Sequence, residues 1–407
     1  MLSFAGLVSG ERTLLSETFD FDPFSPEFFE DPFSAYKVMR REHPVYRREI
    51  PDHRVWPHYW MLSRADDVDA ALKDWRRFSS AKGTLIDTDI SLIPPNIFNM
   101  DPPRHDELRA LLSRVLTPRR VIDLEPEVAR AAREIIEEKA PGGRFDASTD
   151  FAQLIPTLTM CSLMDLPTSD REQFLKWNLD TMAGADFTHP VALKAYAEMD
   201  EYWQGLVAER RVNKGSDLIS QILHHEKEGL ELSNAEIAGF CSLLHDASQN
   251  TTMNMIANGV IALARNPDER RKLVDDPSRW PVALEELFRF ISPVQGLARV
   301  TTCDVTMHDV TIPEGDQVLI LYGSANHDET RFDHPDRLDF DRPRVKTHWS
   351  FGQGIHTCLG AAVARLETRV ALQALLSAAP DYHVVEDEIV RNQLVPTRGI
   401  GQAPVLF

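Results

Sequence analysis

Apolar positions along this chain change period in a set order, and the order outlines a fold. Asp31–His43 carries a helical period, with Asp31 placed to cap the first turn. Val45-Tyr46 and Tyr59–Ser63 are short aromatic and apolar runs typical of strands, and Asp66–Trp75 is helical again. Residues 78–100 lose the helical period yet hold Leu85, Ile86, Ile90, Leu92, Ile93, Ile97 and Phe98. A loop that long and that apolar is more often functional than decorative. From Arg104 to Arg289 the period is helical almost throughout, with breaks at Pro118, Gly142-Gly143, Gly184, Pro190 and Asn266-Pro267. Strand-like alternation takes hold only over Ala298–Thr311, and the turn Pro313-Glu314-Gly315-Asp316 leads into Val318–Tyr322, a hairpin signal. A glycine-rich turn and a last apolar-periodic segment, Ala361–Leu376, follow. The pattern predicts a mainly α protein with a small segregated β region.

Composition narrows the possibilities. No repeat, linker or low-complexity tract divides the 407 residues, so residues 1–407 are expected to form one large domain behind a short N-terminal tail, about residues 1–20. Lys and Arg number 44 against 63 Asp and Glu, a formal charge of −19. Nucleic acid is therefore not an expected partner, because phosphate binding needs a basic footprint. No run approaches the ~20 apolar residues that span a bilayer, and Met1–Gly10 lacks the length and basic flank of a signal peptide. A soluble, cytoplasmic chain without a membrane partner is expected. Four cysteines (Cys161, Cys241, Cys303, Cys358) lie far apart, without the paired spacing of a disulfide frame or a zinc site. Basic residues crowd in two places, Arg104, Arg109, Arg114, Arg119 and Arg120, and then Arg342, Arg344 and Lys346. Such clusters can steer an acidic partner.

The densest chemistry lies in Phe351-Gly352-Gln353-Gly354-Ile355-His356-Thr357-Cys358-Leu359-Gly360. Cys358 ends a glycine-rich turn directly before a helix, where the dipole and backbone N–H groups bias a thiol toward thiolate. Thiolate is a strong axial ligand for haem iron. Glycines let the backbone approach a flat macrocycle where a Cβ would collide. The segment resembles the haem-binding loop of the cytochrome P450 family, and matching motifs run from Phe21 to Phe407.

The resemblance implies a triangular, helix-rich body enclosing haem b, with Cys358 as the axial iron ligand and Phe351, Gly352, His356 and Gly360 framing it. His105 and Arg109, spaced i,i+4 on one helix face, match the family's propionate-binding pair, and Arg299 and His356 match two further propionate contacts. Glu286 and Arg289 meet at i,i+3 among Leu284, Leu287 and Phe288, so a buried pair is expected, and a buried pair needs further hydrogen bonds. By the family's pattern, Pro335-Asp336-Arg337-Leu338 supplies Arg337 as the third partner.

Leu243–Ala264 is expected to cross the distal face. Its Ala247-Ser248-Gln249-Asn250-Thr251-Thr252 aligns with a family motif in which an acid and a threonine relay protons to dioxygen, so Thr251 maps to the oxygen-activating hydroxyl. A mid-helix threonine can instead bond its own i−4 carbonyl. Two departures stand out. Asn250 occupies the acid's place and has no proton to exchange near neutral pH, and Ser248 replaces a glycine. Asp246, one turn earlier on the same face, can supply a carboxylate through water; a relay that tolerates the amide is the other option. Leu85, Ile86, Ile97, Phe98, Trp177, Phe187, Leu243, Ala247, Ser248, Val294, Gln295, Leu297, Leu394 and Val395 are the substrate contacts the family layout suggests.

The implied activity is insertion of one oxygen atom from O2 into a hydrophobic small molecule such as a terpenoid, steroid, aromatic or polyketide, by hydroxylation, epoxidation or dealkylation. Electrons would come from a ferredoxin with its NAD(P)H-dependent reductase, and a monomer is expected. Asn250 motivates an alternative, a peroxide-driven or non-oxygenating haem enzyme. A non-catalytic partner protein of the same fold is a further one.

Overall fold

The computed structural model of the protein describes residues 19–407 apart from 24, 93–95, 182–188, 226–231, 344 and 393–396. Helices dominate, and their ends follow capping chemistry. Asp31 accepts the Phe33 N–H at 3.0 Å and opens Pro32–Glu42, with proline in the first turn. Thr117 caps Pro118–Lys139 in the same way. The 32-residue helix Asn234–Arg265, hereafter the distal helix, starts well before Leu243, where the family resemblance placed it. Ser233 and Glu236 cap it reciprocally, a Ser-x-x-Glu signal that stood in the sequence.

Two apolar clusters meet on this helix. Its C-terminal half, Met253 to Leu263, packs against Leu154–Met164, Trp280–Ile291 and Ala361–Ala378, and Pro118–Lys139 joins the same cluster through Ala361–Ala378 and Leu154–Met164. The contact is close enough that a Cβ on Gly259 would sit 3.1 Å from Leu372 Cδ1. Its N-terminal half, through Ile237, Ala238, Phe240 and Cys241, packs with Arg171–Thr181 and Pro190–Val212, which lie over it. Between the halves the burial breaks: Ala247 is exposed, and Leu243, Asn250 and Thr251 are half-buried.

The β region is a five-stranded sheet in the order Val45–Glu49, His58–Leu62, Gln317–Ile320, Leu297–Thr301, Phe78–Ser79. Only His58–Leu62 and Gln317–Ile320 run parallel. Two expectations need correction here. Ala298–Thr311 is not one strand: after Leu297–Thr301 the chain makes a separate small hairpin, Val305–Met307 with Val310–Ile312. His308 and Asp309 form its turn with φ of 49° and 64°, which alternation alone does not reveal. Nor is Arg104–Arg289 wholly helical. Arg144–Asp146 is a strand paired with Pro404–Leu406, followed by a wide π turn over Ala147–Ala152.

Buried charge locks the core below the sheet. Glu286 and Arg289 are fully buried and joined by bonds of 2.7 and 2.8 Å. The third side chain is that of Arg342, whose guanidinium lies 2.9 and 3.1 Å from the two Glu286 oxygens, and not that of Arg337. Arg337 lies on the surface and contributes only its backbone carbonyl, which accepts from both Arg289 and Arg342. Sequence spacing marked the right turn, but Arg342, five residues on, is the side chain that points inward.

Candidate active site

The cysteine loop is built by close packing. Gly354 has φ 72°, and a Cβ there would stand 2.4 Å from the Leu72 carbonyl oxygen of helix Ala65–Lys73, so glycine is required. The Cys358 N–H donates to the Phe351 carbonyl at 2.8 Å and closes the loop. Arg365, on the following helix, lies 4.3 Å over the Phe351 ring and forks onto Glu285 at 2.7 and 2.9 Å. His348 holds the same carboxylate at 3.0 Å. Burial alone would raise the Glu285 pKa, but these hydrogen bonds outweigh it and draw it down to about 2. The sequence reading missed Glu285, His348 and Arg365; the doubled acid Glu285-Glu286 was the only hint.

Cys358 is surrounded by protein yet exposed, a thiol facing an internal opening. Burial pushes its pKa up, while the Gly360 N–H, Arg109 and Arg365 pull the other way. The helix-terminal bias toward thiolate is therefore present but outweighed in the protein alone. Gly360 is informative for the opposite reason to Gly354: its φ is an ordinary −83°, and a Cβ there would meet nothing within 4 Å. The fold itself does not require that glycine, whereas a group lying against the loop would.

Beside this opening, four nitrogen-bearing side chains converge. His105 and His356 rings stand 4.5 Å apart, and the Nε2 of each is buried without a partner. His356 is held down to about 3 by burial and by the positive charges of Arg299, His105 and Arg109. Arg109 donates to the Thr357 carbonyl at 2.5 Å and acts electrostatically on Cys358. Arg299 is buried beside Tyr322. Among the described residues no carboxylate pairs with Arg109 or Arg299. His105 also meets the Asp106 carboxylate through Nδ1 at 2.9 Å, on the ring edge away from its orphaned Nε2. Two arginines without a carboxylate, two orphaned ring nitrogens and a bare glycine together fit a flat group carrying two carboxylates, which is haem.

Across the opening, the Thr251 hydroxyl donates to the Ala247 carbonyl at 2.7 Å, the local i−4 bond. Ser248 likewise bonds the His245 carbonyl at 3.1 Å. Asp246 is a buried carboxyl whose pKa is raised to about 7 by burial, against the Tyr196 phenol that hydrogen-bonds it from Pro190–Val212. Its Oδ1 and the Oδ1 of Asn250 are both buried without partners. A second buried carboxyl, Glu367, is raised to about 7 by burial despite hydrogen bonds with Thr159 and Thr252, and its Oε1 also lacks a partner. Tyr196 and Glu367 were not singled out from sequence, because neither lies in a recognisable motif.

The suggested substrate contacts divide. Leu243, Ala247 and Ser248 lie along the open stretch of the distal helix, and Leu85, Phe98, Val294 and Leu297 are half-buried. Gln295 is a structural residue instead: its Oε1 accepts from Tyr36 at 3.1 Å and its Nε2 donates to the Ser292 carbonyl at 2.6 Å. Trp177 is core between the overlying helices, its indole N–H bonded to Glu198 at 2.9 Å. Ile86 and Ile97 are buried in separate core clusters. Phe187, Leu394 and Val395 lie outside the described residues, as does Arg344. The basic clusters are also less free than their spacing suggested. Arg104 pairs with Glu107 and Glu236, Arg119 with Asp123, Arg120 bonds the Leu163 carbonyl, and Arg342 is buried.

A tightly braced cysteine loop, two arginines without carboxylate partners and a threonine-bearing helix describe a haem-thiolate enzyme. Comparison with known proteins agrees. Residues 281–379 match the Cytochrome P450 family profile. Cytochrome P450 130 of Mycobacterium tuberculosis is 37% identical over 382 residues, covering 91% of this chain and 94% of that protein. Vitamin D(3) 25-hydroxylase of Pseudonocardia autotrophica is 36% identical over 392 residues, 94% of this chain and 96% of that protein. The structure of the Bacillus subtilis bacillaene polyketide synthase cytochrome P450 PksS superposes with a TM-score of 0.88 at 33% identity, covering 95% of this chain and 99% of that one. The chain belongs to the cytochrome P450 family. It is a monooxygenase, with haem as cofactor and O2 as co-substrate. No described helix is long and apolar enough to cross a membrane.

Proposed function

We propose that this chain acts as a single catalytic domain in the cytoplasm, oxygenating a hydrophobic small molecule with electrons from a ferredoxin and its NAD(P)H-dependent reductase. The observation that carries the reading is the convergence of His105, Arg109, Arg299 and His356 beside Cys358, with no carboxylate on either arginine among the described residues and with both histidine Nε2 atoms left without a partner. In this reading Cys358 would hold the haem iron, Arg109 and Arg299 with the ring N–H groups of His105 and His356 would hold the propionates, and Gly360 would leave room for the ring. Haem supplies the oxygen-activating chemistry. The protein does the rest. Arg365, braced by Glu285 and His348, fixes the loop through Phe351. Thr251 presents its hydroxyl to the opening, and a polar group there orders water and protons. Leu243, Ala247, Val294 and Leu297 give the opening an apolar wall, which favours a hydrophobic ligand and excludes bulk water.

A vitamin D3 hydroxylase and a polyketide-pathway enzyme among the relatives point to the same substrate range, bulky and largely apolar. Lys346 is exposed just ahead of the cysteine loop and suits an acidic electron donor. The test is a binding screen that reads the iron spin state with steroids, secosteroids and polyketides, followed by turnover. Product formed with O2, NAD(P)H and a ferredoxin–reductase pair is expected. Turnover with hydrogen peroxide alone would favour the peroxide-driven alternative, for which the amide at Asn250 is the motivating observation.

A further inference from the structure

Asp246 and Asn250 pose a problem of hydrogen-bond accounting. They stand one turn apart on one face of the distal helix, where side chains meet. Each leaves a buried Oδ1 without a donor. Two unsatisfied acceptors side by side are costly, unless one carries a proton. No cation offsets the charge of Asp246 among the described residues. Tyr196, from the overlying helix, is the one titratable side chain acting on it, and His245, next on the helix, turns to Met160 and Phe174 instead. A buried carboxylate without a cation is strongly disfavoured, so its environment selects the neutral acid. The neutral acid has an O–H to give, and the Asn250 carbonyl, one turn on along the same face and otherwise orphaned, is an acceptor of the matching kind.

We propose that Asp246 is the proton-holding acid of the oxygen site in this protein, standing one turn before the usual position, with Asn250 as its switching partner toward Thr251. The proposal rests on the oxygenase reading above. In the step it describes, the Asp246 O–H bond breaks and the proton passes to a water bonded to the Thr251 hydroxyl. The carboxylate left behind is held by the Tyr196 O–H and, once the Asn250 amide turns, by its N–H. A proton from solvent then restores the acid. An amide can accept from the acid and donate to the carboxylate; an aspartate at 250 would only repel the second state. The raised pKa of Asp246, about 7, agrees with a group that holds its proton near neutrality yet can release it.

Infrared spectroscopy of the holoenzyme, titrated from about pH 5 to about pH 9 in H2O and D2O, reads the acid directly. Two protonated-carboxyl bands are expected, one lost in Asp246→Asn and the other in Glu367→Gln. The exchange Asp246→Asn with Asn250→Asp should restore a titrating band, and Asp246→Glu should shift it without abolishing it. Oxygen uptake with NADH and a ferredoxin–reductase pair should fall about tenfold or more in Asp246→Asn, with an enlarged solvent isotope effect, and recover in the exchange variant. A spectrum of Asp246→Asn that keeps both bands, or a lost band with unchanged uptake and isotope effect, overturns the proposal. The ferrous–CO spectrum of each variant reports thiolate-bound haem separately, so failure of the oxygenase reading is seen on its own.

Discussion

On the Cys358 side of the opening, the loop's frame is tied in place: Cys358 N–H to Phe351, Arg365 and His348 to Glu285, and Asn326 to the Trp349 N–H and the Ser350 hydroxyl, while the His105 and His356 Nε2 atoms beside the cysteine stay without partners. On the distal helix, Asp246 and Asn250 keep free oxygens, and Thr251 is satisfied only by its own helix. One wall is a finished scaffold and the other a set of polar atoms awaiting partners. Rigid support lies where a metal ligand must stay put, and incomplete satisfaction lies where water and protons must come and go.

Five substitutions and one change of pH probe this contrast, the largest effect first. Arg342→Ala strips a buried guanidinium from Glu286 and should cost about 3–5 kcal/mol of unfolding free energy. Arg337→Ala should stay within about 0.5 kcal/mol; denaturant titration of both variants checks which arginine belongs to the scaffold. Arg109→Ala removes one charge-assisted contact worth about 1.5–3 kcal/mol. Haem binding, followed by transfer to an apo-globin acceptor, should weaken about tenfold or more. The apo protein should lose only the hydrogen bond from Arg109 to the Thr357 carbonyl, a smaller effect than the loss of haem affinity.

Acid should loosen the scaffold before it touches the helix. The folded pKa of Glu285, about 2, lies below its ordinary 4.5, so its stabilisation is complete above about pH 4.5 and fades as pH falls toward about 2. Arg365→Ala should flatten that part of the pH–stability curve, measured by thermal unfolding. Gly360→Ala is expected to leave the apo fold unchanged, because its Cβ meets nothing, while lowering haem occupancy after reconstitution.

Much of the scaffold was legible in the sequence, because its signals are local. The loop motif, the His105/Arg109 spacing and the Glu286/Arg289 pair each lie within one turn or one helix. The long helix lay inside the helical stretch and was placed by the family resemblance, though its start was missed where Ser233 and Glu236 announced it. What escaped was set by tertiary direction. Arg337 and Arg342 share one winding segment, and only packing decides which points inward. Gln295 and Trp177 fell among expected pocket residues, but Tyr36 and Glu198, distant in sequence, claim their polar atoms. The pairing of Tyr196 with Asp246 joins two helices and has no sequence signature at all.

The central claim is that Cys358, backed by Arg109, Arg299 and the two histidines beside it, holds haem through its thiolate. The ferrous–CO spectrum of the reconstituted protein tests it most directly. A thiolate-type Soret shift that disappears in Cys358→His, with haem still bound, is the predicted result. A spectrum lacking that shift in the unaltered protein, or one that survives the loss of Cys358, would contradict the account.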